Sequence, residues 1–232
     1  MTQEIVKYEP LAITQVTPSE ALAPLRDVLA PGESLSLSML EQAKVPTGGA
    51  LSFVMHDGES ARTIEGVIVL RQAMRVFWRS SFDESGGGTP PDCSSTDMLT
   101  GIGEPGGECG VCPLEYSNSY GQDGPRCTNR TRLFVLASGS FMPMLINLPP
   151  TSFAAARDYA FRLSNRGTPP YGAVTRISLE RKQSQSGIAY AVAKFDLVHK
   201  LNESERQWML AYREAIVPRL LGLGLTESEG AE

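Results

Sequence analysis

Between Phe82 and Arg130 the chain carries Gly86-Gly87-Gly88, Pro90-Pro91, Gly106-Gly107 and the run from Gly121 to Pro125, a density of breakers that forbids long regular structure. A structureless loop of that length inside a compact domain needs something beyond its own backbone to hold it. All four cysteines fall inside it. Cys93 is followed after fifteen residues by Cys109, after two by Cys112 and after fourteen by Cys127. Cys109-Gly110-Val111-Cys112-Pro113 reads as a knuckle, because two residues between thiolates let both sulfurs turn toward one ion. Cys93 and Cys127 then complete a tetrahedral shell, and the spacing predicts a structural Zn2+ with no open position for catalysis. Three other readings compete with it. Disulfides are disfavoured without export, a redox pair leaves two cysteines without a part, and unrelated thiols would not concentrate in one loop. An iron-sulfur cluster is the remaining occupant of four thiolates.

Around this insertion the periodicity is that of a β-rich α+β chain. Residues 1–45 read as a leader with short helices, one opening at Pro18-Ser19-Glu20 and another over Ser34 to Ala43. Strands are expected over Leu51 to Met55, Ile64 to Leu70 and Met74 to Arg79. After the insertion, Leu133 to Ala137 and Met142 to Leu148 form a hairpin about Ser138-Gly139-Ser140. Phe153, Ala156, Ala160 and Leu163 recur at helical spacing up to Asn165-Arg166-Gly167. Alternating strands follow from Ala173 to Arg181 and from Gly187 to Val198. Asn202-Glu203-Ser204-Glu205 is a capping box for a last helix with Leu201, Trp208, Tyr212 and Ile216 on its buried stripe. The expected fold is an OB-like barrel or sandwich over residues 46–221, with a zinc finger inserted at 82–130, a C-terminal helix, and an acidic disordered tail at 222–232.

With 41% apolar and 20% charged residues the chain can bury a full core. No basic start followed by an apolar run opens it, and the apolar run Val67 to Leu70 is too short to span a bilayer. The expected location is the cytoplasm. Three of the five net negative charges sit on Glu227, Glu229 and Glu232, so the acidic total leaves room for a local basic surface.

Ile64-Glu65-Gly66-Val67-Ile68, Pro91-Asp92-Cys93-Ser94-Ser95, Gly106 to Pro113, Leu148-Pro149-Pro150-Thr151-Ser152 and Gly187-Ile188-Ala189-Tyr190 together resemble the signature of uncharacterised phage and mobile-element proteins with a four-cysteine zinc insertion. The layout is more loosely similar to phage OB-fold single-stranded DNA-binding proteins with an acidic C-terminal tail. The tail Thr226 to Glu232 lacks the terminal aromatic that some such tails carry. The resemblance implies a bacterial host cell, single-stranded DNA as ligand, and replication or recombination proteins as partners of the tail.

Binding to single strands requires cations that follow phosphates and rings that stack on bases. Alternation puts Arg75, Phe77 and Arg79 on one strand face, Tyr190 and Lys194 on another, and Arg176 with Lys182 on a third. Arg126, Arg130 and Arg132 flank Cys127, and Tyr116 and Tyr120 precede it. The competing reading makes Phe77 and Tyr190 core residues and the charges a solvated face. For catalysis there is little: His56 and His199 belong to no metal-ligand spacing, no phosphate-binding Gly-rich loop ends in Lys-Ser or Lys-Thr, and Gly-x-Ser-x-Gly is absent. Asp92, Asp97 and Glu104 read as turn residues. The expectation is a non-catalytic protein that protects or organises single-stranded DNA during replication or recombination. The alternatives are a zinc-containing adaptor for a replication or transcription protein and a virion-associated structural component.

Overall fold

The computed structural model describes residues 16–30, 33, 35–46, 49–79, 90–114, 127–185 and 187–223. Arg126, Tyr116, Tyr120 and residues 224–232 of the expected tail lie outside the described residues, while Leu223, at its start, is buried in the core.

The longest strand is β4 (Thr63–Phe77, 15 residues), buried on both faces from Ile64 to Val69. A strand covered on both sides reads as an unbroken apolar run. Here the polar pair Arg71-Gln72 interrupts that run, which is why one strand looks like two in the sequence. β8 (Thr128–Ala137) lies antiparallel along one edge of β4 from Val76 to Gly66, with an extra β4 residue between Ile68 and Leu70. β9 (Met144–Leu148) makes the expected hairpin with β8. Beyond it come β1 (Gln42–Lys44), parallel to β9, then β2 (Phe53–Met55) and β3 (Ser60–Ala61). The other edge of β4 is shared. β10 (Ala173–Gln183) pairs with Thr63 to Val67 and carries β11 (Ala189–Lys200), while β5 (Cys93–Ser95) pairs with Arg75 to Phe77.

Each face of the sheet has its own core. On one, α3 (Phe153–Asn165) presents Ala156, Tyr159 and Leu163 to Ile64, Ile68, Leu133, Ile146, Ile177 and Phe195. The Tyr159 ring stacks on Phe195 at 5.6 Å, and its hydroxyl shares a 2.8 Å hydrogen bond with Thr175 Oγ1. On the other, α4 (Glu203–Leu221) presents Met209, Tyr212, Ile216 and Leu220 to Val67, Val69, Phe134, Leu136 and Val174. Burial of each such side chain contributes about 1.5–3 kcal/mol. The Asn202 capping box forms as expected: Asn202 Oδ1 accepts from Glu205 N at 2.9 Å and Glu205 Oε2 from Asn202 N at 2.8 Å. Trp208 is only partly buried, stacked on Tyr212 at 5.2 Å with its Nε1 donating to Val16 O. α1 (Pro18–Ala21) packs on α4, and Leu22, Leu37 and Leu40 sit in the second core. The helix expected over Ser34 to Ala43 is instead a 3-10 turn, Leu37–Met39, followed by β1, because pairing with β9 outweighs local propensity.

The OB-like barrel is not what forms. A barrel gives every strand two neighbours, whereas among the described residues β3 pairs only with β2 and β11 only with β10. The loop between β1 and β2 touches the β10–β11 hairpin, where Arg181 Nε donates to Gly49 O at 3.0 Å and Gly49 lies against Ala189 and Tyr190, without strand pairing. Nor do the described residues form an inserted zinc finger. Of that segment, residues 90–114 form β5, β6 (Thr100–Gly103) and β7 (Gly107–Glu108), which extend the sheet from the edge of β4, and residues 128–130 begin β8. No helix of the described residues is long and apolar enough to cross a membrane.

Gly66 pairs with Ala137 in the β4–β8 ladder, and a Cβ there would stand 2.5 Å from Leu136 O and 2.8 Å from Val135 Cγ1. Gly66→Ala is expected to lower stability by roughly 1–3 kcal/mol through overpacking. Asn202→Ala should cost about 1 kcal/mol as the cap is lost. Urea unfolding midpoints check both, and an unchanged midpoint in either variant would show that the contact is not under constraint.

Candidate functional site

Pairing of β5 with β4 places Arg75 opposite Ser95 and Phe77 opposite Cys93. These four side chains line one small cavity together with Cys109, Cys112 and Cys127. Its wall is held by a turn around Asp97, whose Oδ1 accepts from Thr100 N, Leu99 N and Ser95 Oγ, each at 2.8 Å. Those bonds, the one from Thr100 foremost, hold the Asp97 carboxyl below the usual range. Asp92 instead accepts from Arg79 N at 2.8 Å, thirteen residues away, so of these two acids Asp97 serves a turn and Asp92 ties the ends of β4 and β5 together. Cys109–Val111 is a 3-10 turn in which Cys112 N donates to Cys109 O at 3.4 Å, and Arg75 Nη1 donates to the same carbonyl at 3.3 Å.

The structural zinc expected on Cys93, Cys109, Cys112 and Cys127 is not supported. Among the described residues no group of three or more histidine, cysteine, aspartate or glutamate side chains is placed to hold a metal ion. The thiols share a cavity wall without closing into such a group. Cys93 is on β5 and Cys127 immediately precedes β8, the two strands on either side of β4. Their backbones therefore start about two strand spacings apart, ~9.6 Å, with Phe77 between them. A zinc shell draws sulfurs to within about 2.3 Å of one point. All four cysteines are free. The cavity, about 20 Å³, holds little more than one water. Burial pushes the Cys127 thiol up to about 11, against the pull of Arg75 and with a further push from the other three cysteines.

The residues expected to contact nucleic acid fall in three places. Arg75 and Phe77 line the thiol cavity, and Phe77 is buried. Arg130 and Arg132 lie on β8 opposite Met74 and Gln72, where Arg132 is only 1% exposed. Arg79 pairs with Glu104 at 3.1 Å on the surface, and Arg126 lies outside the described residues. The remaining four are brought together. Across the β10–β11 hairpin Lys182 is paired with Tyr190, Ser178 with Lys194 and Arg176 with Asp196, so Arg176, Lys182, Tyr190 and Lys194 share one face. Acids share it too: Arg176 bonds the buried Glu65 at 2.6 Å, and Lys194 meets Asp196 at 3.0 Å. Lys182 has no ion pair among the described residues. Sequence reasoning missed Arg213, which lies 4.1 Å over the Tyr171 ring. An arginine on a mixed helix and a tyrosine after Pro169-Pro170 carry no shared local signal.

Comparison of the chain with protein-family models, with curated proteins and with solved structures finds no match. The resemblance to phage and mobile-element proteins with a four-cysteine zinc insertion, and to OB-fold DNA-binding proteins, falls with the metal group and the barrel.

At pH 8.5 the half-buried Cys127 thiol stays protonated, and only the thiolate reacts. Iodoacetamide is expected to alkylate Cys127 at least tenfold more slowly in the native chain than in urea, read by peptide mass spectrometry. The raised value also fixes a sign: between about pH 9 and 11 the unfolded chain binds fewer protons at this site than the native one, so the contribution of Cys127 to stability falls as pH rises. Equal alkylation rates in the two states would show that the thiol is not shielded.

Proposed function

We propose that the protein binds single-stranded nucleic acid, DNA first, without catalysis, through the face of the β10–β11 hairpin that carries the exposed Lys182 and Lys194 and the half-buried Tyr190. One observation carries this reading: Tyr190 stands directly across from Lys182, with Lys194 on the same face, which joins a stacking ring to cations on a rigid sheet. The two acid-paired cations differ in availability. Lys194 and Asp196 are both about half exposed, and a surface pair of that kind holds by about 0–1 kcal/mol, so a phosphate can displace the acid. Arg176, itself about half exposed, bonds Glu65, whose side chain is only 5% exposed, so drawing the arginine away would leave a buried carboxylate without its partner. Lys182 and Lys194 therefore meet phosphate while Arg176 keeps the face in shape. Protecting or organising exposed strands during replication or recombination in the cytoplasm is the role this face suits.

Two phosphate contacts set a modest salt response, a slope of log K against log salt of about −1.4 for single strands. Fluorescence anisotropy with a labelled oligothymidylate and its duplex, at several salt concentrations, measures it. Tyr190→Ala is expected to weaken single-strand binding by about 1–3 kcal/mol. Lys182→Ala should flatten the salt slope by about 0.7. Equal affinity for duplex, or a Tyr190→Ala variant that binds as well as the parent, would remove this function from the hairpin.

A further inference from the structure

β4 is longer than its partners on one edge can cover. β10 leaves it after Val67 and β5 joins it only at Arg75, so among the described residues Ile68 to Met74 have no strand on that side. The extra residue of β4 falls in this gap, between Ile68 and Leu70. A cavity of about 230 Å³ opens there, well above the roughly 10–15 Å³ that one water needs. Its walls are mostly apolar, with Leu133, Ala156, Ala160 and Phe195 on one side and Pro170 and Tyr171 on the other.

Two guanidinium groups, Arg71 and Arg213, border this apolar space, and neither forms an ion pair among the described residues. Arg213 is fixed in place. Its Nε donates to Val69 O at 2.8 Å, and its carbon lies 4.1 Å from the centre of the Tyr171 ring. With Nε engaged, its two Nη groups are without a hydrogen-bond partner among the described residues. A planar cation fixed at both its nitrogen and its face has already lost the freedom that binding would otherwise take from it. We infer that this cleft is a binding site for a small carboxylate with an apolar, preferably aromatic, body, its carboxylate on Arg213 and its ring in the gap beside β4. Charge complementarity selects the carboxylate, because a bidentate oxygen pair matches the guanidinium fork. The apolar walls select the body and disfavour inorganic phosphate, whose remaining oxygens would lose water without gaining partners.

Phenylacetate is the probe, and its neutral amide, phenylacetamide, is the control. Both are titrated into the full chain and followed by amide chemical shifts in a two-dimensional NMR spectrum. A ligand of about ten heavy atoms supports millimolar affinity. The expected result is a saturable shift at residues of the cleft with phenylacetate, at least tenfold weaker with the amide. Arg213→Gln should abolish the preference for the acid over the amide. Because Arg213 also holds Val69, Ala160→Leu is the second variant: it fills the cavity, leaves the arginine in place, and should weaken phenylacetate at least tenfold. Equal binding of acid and amide, a folded Ala160→Leu chain that binds phenylacetate as well as the parent, or no saturable shift at all would overturn the assignment.

Discussion

β4 must be buried on two faces at once while only one of its edges has a continuous partner. A strand of 15 residues runs about 50 Å, more than one helix can shelter. α3 and α4 cover the half from Ile64 to Val69, and their two cores are separate clusters because that strand stands between them. Past Leu70 the apolar cover thins. Gln72 is 3% exposed with neither side-chain polar atom bonded among the described residues, and it faces the buried Arg132 across the ladder. A buried amide without partners costs about 1–3 kcal/mol, so this pair marks where the two-helix core gives out. The β5–β7 strands and the cysteine cavity take over from there.

That handover explains why the cysteine spacing misled. Spacing along a loop reports how near residues are in the chain, and it is silent on which strand each will join. Once residues 93–95 pair with β4, Cys93 is tied to one neighbour of Phe77, and the start of β8 ties Cys127 to the other. The loop does receive the support its glycines and prolines demand, through pairing to an existing edge and a carboxylate holding three donors. The inference that something must hold the segment was sound. The identity of that something depended on a long-range contact.

The same division runs through the whole reading. α3, the β8–β9 hairpin, the β10–β11 pair and the capped α4 were legible because their signals are local: a 3.6 period, a short turn, a period of two, a capping box. Ser34 to Ala43 was misread because β1 is set between β2 and a parallel partner about a hundred residues away in the chain, and the second contact leaves no local signal. The open sheet was illegible for a related reason, since alternation marks a strand's faces and leaves its edges unmarked. For the candidate contacts, alternation grouped Arg176 with Lys182 and Tyr190 with Lys194 correctly, but could not foresee that cross-strand register would merge the two pairs. It also could not foresee the burial of Phe77 and Arg132, which is decided by neighbouring strands.

On the proposed reading, two places compete for a nucleic-acid strand. The thiol cavity has an arginine and a ring, yet Arg75 is committed to the Cys109 carbonyl, Phe77 is buried, and about 20 Å³ admits no base. The hairpin face has the opposite character. Its inner side is fixed to the core by Ile177, Leu179, Ala191, Ala193 and Phe195, so the outer side is rigid without being covered at Lys182 and Lys194. Stacking is tolerant of base identity because every base has a π-face, and two available lysines cannot read sequence. A contact of this kind follows the backbone of whatever strand it meets, with affinity limited by the small number of phosphates it can neutralise.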